Sequence, residues 1–244
     1  MTVTLPFGPL VHARWIERRK RFMLDVQLDD GSTTTAHCPN TGAMTGVGGE
    51  GVPVLLSRSD NPKRRYALTL EAVRCGDVWV GVNTQNPNRI GALLATAGAP
   101  PFDASGTIRP EVRYGRAERI DLLITPQDGP RTFVEIKNVH LVERPGEASF
   151  PDCVTARGAK HLDALADVVA AGERALMVFL IQRHDVTSFH LARDIDPHYG
   201  ARFDAAHKAG VTFAALACRV DEDGITASHM VPILDLPSAD RRAA

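Results

Sequence analysis

From Pro9 to Glu17 apolar and polar residues alternate around Val11, Ala13 and Trp15, with Ile16 breaking the pattern, as in a strand with one covered face. Phe22 to Leu28 and Ser32 to Cys38 continue it, joined by Asp29-Asp30-Gly31, a tight hairpin turn. Gly51 to Leu56, Tyr66 to Arg74 and Val78 to Val82 add three more strands, so six short strands in about eighty residues predict a small β-barrel. The pattern then changes. Residues 90–98 read as a helix, ended by Ala99-Pro100-Pro101 and Asp103-Ala104-Ser105-Gly106. Glu118 to Ile124 and Phe133 to Val139 alternate again and are linked by Pro126-Gln127-Asp128-Gly129-Pro130 as a hairpin. A helix begins within Ser149 to Leu162, buries Leu162, Leu165, Ala166 and Val169, and ends at Gly172. Ala175 to Gln182 is apolar enough to be a strand covered on both faces, which makes a strand-helix-strand crossover. Asp204 to Ala209 reads as helix, Val211 to Val220 as strand, and a polar tail follows from Leu236.

This pattern predicts an α+β chain of two domains, with residues 1–85 a small oligonucleotide-binding (OB)-like barrel and residues 86–244 a mixed α/β sheet. The second half carries the sharper chemistry. In Phe133-Val134-Glu135-Ile136-Lys137-Asn138-Val139 the side chains of Glu135 and Lys137 share one face, and the hairpin sets Asp121 across from Glu135. Two converging carboxylates beside a lysine suit Mg²⁺ or Mn²⁺, a bound water and a phosphate. The lysine is informative because only five of 28 basic residues are Lys; elsewhere the chain uses Arg, which keeps its proton. The plain alternative is a solvated Glu-x-Lys ion pair on a strand. Glu111, reached from a loop or helix end, is a further candidate acid. Arg157, Lys160 and His161 fall together on the non-apolar face of the helix, where they would contact phosphate or simply face water.

Charge refines the picture. The formal net charge is -1, yet residues 1–89 hold eleven Lys/Arg against eight Asp/Glu, and the remainder seventeen against twenty-one. A local basic strip on the barrel is therefore expected, not an evenly basic surface. Candidate nucleic-acid contacts there are Arg14 and the run Arg18-Arg19-Lys20-Arg21, Asn40 and Thr41 in the loop Cys38 to Gly46, Lys63, Arg64 and Arg65 beside Tyr66, and Asn83 in the amide-rich stretch Val82 to Arg89. The same loops also serve as turns, and the same cations as solvated charge. No apolar run approaches a bilayer span, no signal pattern opens the chain, and Cys38, Cys75, Cys153 and Cys218 are too dispersed for a Cys-x-x-Cys site. A cytoplasmic protein with reduced thiols and no membrane partner is expected.

A carboxylate hairpin, a Glu-x-Lys strand and a following helix are the ground plan of the restriction-endonuclease-like, PD-(D/E)xK metal nucleases. More closely, Cys38-Pro39-Asn40-Thr41-Gly42, Ser59-Asp60-Asn61, Val82-Asn83-Thr84, Arg119-Ile120-Asp121, Val134-Glu135-Ile136-Lys137 and Pro151-Asp152 through Arg157-Gly158 to Lys160-His161-Leu162 resemble the bacterial and archaeal sugar fermentation stimulation protein A family. The resemblance implies an OB-like domain joined to a nuclease-like domain that binds DNA without sequence preference. Carried over, Asp121, Glu135 and Lys137 match the acid, acid and lysine of the nuclease motif, and Glu111 its upstream acid. Asp121, Glu135 and the Ile136 carbonyl would hold Mg or Mn. One departure is Ile120, where the motif has proline; that side chain is not a ligand. Three readings follow: a metal-dependent nuclease acting on DNA or RNA, a DNA-binding regulator without catalysis linked to sugar metabolism, and a sugar- or nucleotide-binding protein using the Asn40 and Asn83 loops.

Overall fold

The computed structural model describes residues 2–102, 106–114 and 118–238. After a first short strand, β1 (Thr4–Pro6), the barrel is built from β2 (Leu10–Arg19), β3 (Met23–Leu28), β4 (Thr33–His37), β5 (Pro53–Arg58), β6 (Leu68–Cys75) and β7 (Val78–Gly81). They lie in the order β4-β3-β2-β5-β6-β7, and a parallel bridge from His37 to Thr69 returns β4 to β6 and closes the sheet. Alternate residues Ala13, Trp15, Leu24, Val26, Val54, Leu56 and Leu70 fill its interior. The break in alternation at Ile16 is a bulge: the β2–β3 register shifts between Trp15 and Glu17, and Ile16 is left 38% exposed.

The second half contains α1 (Asn86–Ala97), β8 (Thr107–Tyr114), β9 (Glu118–Thr125), β10 (Thr132–Val139), β11 (Leu141–Arg144), β12 (Gly146–Phe150), α2 (Ala156–Ala170), β13 (Arg174–Ile181), β14 (Val186–Leu191), α3 (Pro197–Lys208), β15 (Thr212–Asp221) and β16 (Gly224–Met230). Seven strands form one sheet in the order β1-β16-β15-β13-β10-β9-β8, in which β10, β13 and β15 are parallel and the other pairs antiparallel. Strands β11, β12 and β14 make a small second sheet. Near the middle of the large sheet, β10 is covered on both sides. Its Phe133 and Val139 pack with Leu162 and Leu165 of α2 and Tyr199 of α3, whereas Val134 and Ile136 pack with Ile90 and Leu94 of α1. Glu135 and Lys137 share the parity of Phe133 and so face α2.

Several elements differ from the sequence pattern for identifiable reasons. Helix α1 starts at Asn86, four residues before its apolar stripe, because Pro87 occupies the first turn, where no N–H is needed. The segment holding Glu111 is the edge strand β8, not a loop or helix end, and α2 begins only at Ala156, after β12 has ended at Phe150. Helix α3 starts at Pro197, seven residues earlier than its periodicity suggests, capped by Asp196. The expected helix stop at Asp103, Ala104 and Ser105 and the tail beyond residue 238 lie outside the described residues. The first strand belongs to the large sheet, with Thr4, Leu5 and Pro6 opposite Thr226, Ile225 and Gly224.

The two halves meet closely. Leu55 and Ala72 of the barrel share a core with Ile90 and Leu94 of α1 and Leu180 of β13. The Gly81 N–H donates to the Gln182 carbonyl at 2.8 Å, and the Met44 N–H donates to Asp152 Oδ2 at 3.1 Å. Among the described residues no helix is long and apolar enough to cross a membrane.

Candidate active site

The β9–β10 ladder ends at Leu122 opposite Val134, one step short of Asp121 and Glu135. There a side chain replaces the backbone acceptor: Asp121 Oδ2 accepts the Ile136 N–H at 2.7 Å. In a strand the N–H and C=O of one residue point to the same edge, so the Ile136 carbonyl also faces this edge, beyond the last ladder pair. Asp121 Oδ1 accepts from Asn88 Nδ2 at 2.7 Å. Asn88 arrives on the first turn of α1, which lies against β10 because Gly91 has no side chain; a methyl there would overlap the Ile136 Cδ1. Asn88 was not singled out in the sequence, although its setting in an amide-rich run was the available signal.

Glu135 is buried. Its Oε1 accepts from Lys137 Nζ at 2.7 Å and is in hydrogen-bond contact with His161 Nδ1, while Oε2 is buried with no hydrogen-bond partner among the described residues. Arg157 Nε donates to His161 Nε2 at 3.3 Å. Helix α2 is aimed here by its cap: Thr155 Oγ1 accepts the Gly158 N–H at 3.1 Å, and Gly158 allows a close fit in which a Cβ would lie 3.1 Å from Tyr199. The two carboxylates titrate apart. Burial and then the charge of Glu135 raise Asp121 from 3.8 to about 6, against the Ile136, Lys137 and Asn88 contacts. For Glu135 burial is the largest influence and acts upward, but the His161 and Lys137 contacts outweigh it and hold the carboxyl below its ordinary value.

These groups line a cleft of about 940 Å³ with Arg113, Arg119, Arg157 and Lys160, so five cations, Lys137 included, face three carboxylates, the third being Glu111. The overall charge of -1 therefore conceals a locally cationic cleft. Glu111 sits opposite Asp121 on the edge strand, between the pairs Pro110–Leu122 and Val112–Ile120, with a left-handed φ of 53° that is rare for a residue with a side chain. Its carboxylate lies 3.9 Å from Arg119, and among the described residues no three His, Cys, Asp or Glu side chains cluster tightly enough to hold an ion by themselves. Thus Asp121, Glu135, Ile136, Lys137, Arg157, Lys160 and His161 share one cleft, with Glu111 at its margin.

The barrel residues expected to touch nucleic acid are placed differently. Arg18 donates to the carbonyls of Arg21, Asn40, Gly42 and Ala43, so it ties down the loop it was expected to work beside. Arg19 pairs with Asp25 at 2.6 Å and Arg14 donates to the Gly51 carbonyl at 3.0 Å. Asn40 and Asn83 are buried: Asn40 Oδ1 accepts the Gly42 N–H, and Asn83 Nδ2 donates to Glu71 at 2.9 Å. Both amides are engaged inside the fold, Asn40 through its oxygen and Asn83 through its nitrogen. Lys20, Arg21, Thr41, Lys63, Arg64 and Arg65 are exposed, with Arg64 donating to Thr69 and Arg65 stacked over Tyr66 at 5.3 Å.

Residues 85–224 match the family model described as the sugar fermentation stimulation protein RE domain, and residues 16–82 match the SfsA N-terminal OB domain. The chain is 49% identical over 229 residues to sugar fermentation stimulation protein homologs of Brucella ovis and Brucella melitensis biotype 1, covering 93% of this chain and 96% of each relative. A solved structure of Pyrococcus furiosus SfsA, described as a complex with Ca²⁺, superposes with a TM-score of 0.86 and 23% identity over 96% of this chain and 99% of that one, a likeness of fold.

Proposed function

Because this chain belongs to the sugar fermentation stimulation protein family, we propose that it is a DNA-binding protein whose cleft hydrolyses phosphodiesters with the help of Mg²⁺ or Mn²⁺. The observation that carries this reading is the buried Glu135 Oε2 without a hydrogen-bond partner among the described residues, beside an Asp121 whose charge the fold raises in energy. A buried carboxylate oxygen left bare is costly, and two neighbouring carboxylates repel a phosphate; a divalent cation relieves both. Asp121, Glu135 Oε2 and the Ile136 carbonyl would hold it, in keeping with the Ca²⁺ reported for the Pyrococcus furiosus relative. When bound, such a cation acidifies water and polarises the phosphoryl oxygens.

The residues of the chain divide the remaining work. Lys137, fixed on Glu135 Oε1, offers its other protons to the attacking water or to charge building on phosphorus. Lys160 and Arg113 attract the flanking phosphates into the cleft. Asn88 fixes the orientation of the Asp121 carboxyl from α1. The exposed cations Lys20, Arg21, Lys63, Arg64 and Arg65 would extend the path across the barrel, and the unpaired thiols of Cys38, Cys75, Cys153 and Cys218 suit the cytoplasm.

A second reading, DNA binding without catalysis, draws support from the way Lys137 already neutralises Glu135 from within the chain while His161 bonds the same oxygen. Anisotropy of a fluorescent DNA with Ca²⁺ or EDTA separates the two. The metal reading expects Ca²⁺ to tighten binding by wild type but not by Asp121→Asn, and Lys160→Ala to weaken binding and flatten its salt dependence. Equal binding by wild type with Ca²⁺ and with EDTA favours the second reading.

A further inference from the structure

Resting on the metal-site reading above, we infer that His161, braced by Arg157, is a positioning residue that presents Glu135 Oε2 to the cation, and is not a phosphate contact. A guanidinium only donates, so the 3.3 Å bond from Arg157 makes His161 Nε2 an acceptor. The ring proton then sits on Nδ1, the nitrogen in contact with Glu135 Oε1. Lys137 Nζ is 3.1 Å from that nitrogen and 2.7 Å from the same Oε1. Two donors do not bond to each other; both are there for the carboxylate oxygen.

The consequence is asymmetric. Oε1 is held from the strand by Lys137 and from α2 by His161, while Oε2 is buried and takes no bond from any described residue. Any rotation of the carboxyl short of a half-turn, which only exchanges its two equivalent oxygens, would break both bonds, so one bare oxygen is kept in one place. Outer groups that orient a ligating oxygen are worth about 10–100-fold in metal affinity. Arg157 and His161 stand four residues apart on one face of α2, and Thr155 and Gly158 fix the start of that helix against Tyr199. A phosphate contact would need a free N–H on the imidazole. Nδ1–H is engaged by Glu135 and Nε2 carries none, which leaves the exposed Lys160 and the Arg157 N–H groups other than Nε as the donors of this turn available for phosphate.

The test is calorimetric titration of the full chain with Mn²⁺ alone. His161→Ala should weaken Mn²⁺ binding by about tenfold or more. His161→Asn, which can place an N–H near the position of Nδ1, should restore most of it. In a Glu135→Gln background His161→Ala should bring no further loss, because the effect passes through that carboxylate. Arg157→Ala, at an exposed position, keeps the test open where a His161 variant does not fold: releasing Nε2 should weaken Mn²⁺ severalfold. Wild-type affinity in His161→Ala and Arg157→Ala, with binding lost in Asp121→Asn, would overturn the brace and leave the metal site standing. Absence of Mn²⁺ binding by wild type would overturn both.

Discussion

Asp121 occupies a position where the fold works against its own charge. Its carboxyl is shifted from 3.8 to about 6, chiefly by burial and secondly by Glu135. A raised carboxyl means that the native state holds a proton the unfolded state has lost, so this group makes the metal-free protein less stable as pH rises from about 4 through 6. The shift corresponds to roughly 3 kcal/mol at pH 8. Asp121→Asn keeps an acceptor for the Ile136 N–H, and Asn88 has both an amide donor and an acceptor with which to meet it. The variant should therefore be more stable than wild type at pH 8 in EDTA, by up to about 3 kcal/mol, with the gain gone near pH 4. Urea unfolding at the two pH values measures this; a loss of stability at pH 8 would mean that the charge is satisfied without a cation. The same acidity sets the metal response: Mn²⁺ affinity should fall as pH drops through 6, since the cation must displace a proton from Asp121.

Helices α1 and α2 bring their residues to the site by close approach. Gly91 lets α1 lie on Ile136, and Asn88 one turn earlier then reaches Asp121. Gly91→Ala should cost about 1–3 kcal/mol by overpacking and should also weaken Mn²⁺ binding, because Asn88 moves with the helix. A truncation of similar cost in the barrel core, such as Val26→Ala, should leave Mn²⁺ affinity near wild type; equal effects of the two would remove the link. Thr155→Ala should cost about 1 kcal/mol through the lost cap, and Thr155→Ser much less, read from thermal melts. At this scale much could be read from sequence: alternation in Phe133–Val139 fixes which side chains share a face, and the hairpin puts Asp121 near Glu135. What escaped was carried by polar or small residues. Asn86 and Pro87 read as loop but begin α1, and Thr107–Tyr114 shows little alternation because an edge strand has one face and one edge in water. Arg18, Asn40 and Asn83 looked like ligand contacts because their chemistry suits nucleic acid, yet the same side chains bond backbone groups and Glu71 inside the fold. No one-dimensional pattern distinguishes those two uses.

The molecule as a whole joins a barrel and a sheet through a shared core, not through a linker alone. Leu55 and Ala72 pack with α1 and β13, and Asp152 reaches back to the loop at Met44. Both tryptophans, Trp15 and Trp79, belong to the barrel region, whereas the three helices among the described residues belong to the other half. Tryptophan fluorescence and helical circular dichroism should therefore give coincident urea transitions; separate midpoints would show that the halves unfold independently. That coupling matters because the cleft draws Thr84 and Asn88 from the junction and the remaining groups from the sheet and α2, so a DNA strand in the cleft would contact the junction as well. We propose that this cleft cuts phosphodiesters with a cation held by Asp121 and Glu135. The most direct measurement is single-turnover cleavage of end-labelled single- and double-stranded DNA by wild type and Lys137→Ala, each with Mg²⁺, Mn²⁺ or EDTA. Product is expected from wild type with Mn²⁺ or Mg²⁺, none with EDTA, and none from Lys137→Ala even where that variant still binds the DNA. Intact DNA from wild type under every condition, or cutting that persists in EDTA or in Lys137→Ala, would contradict it.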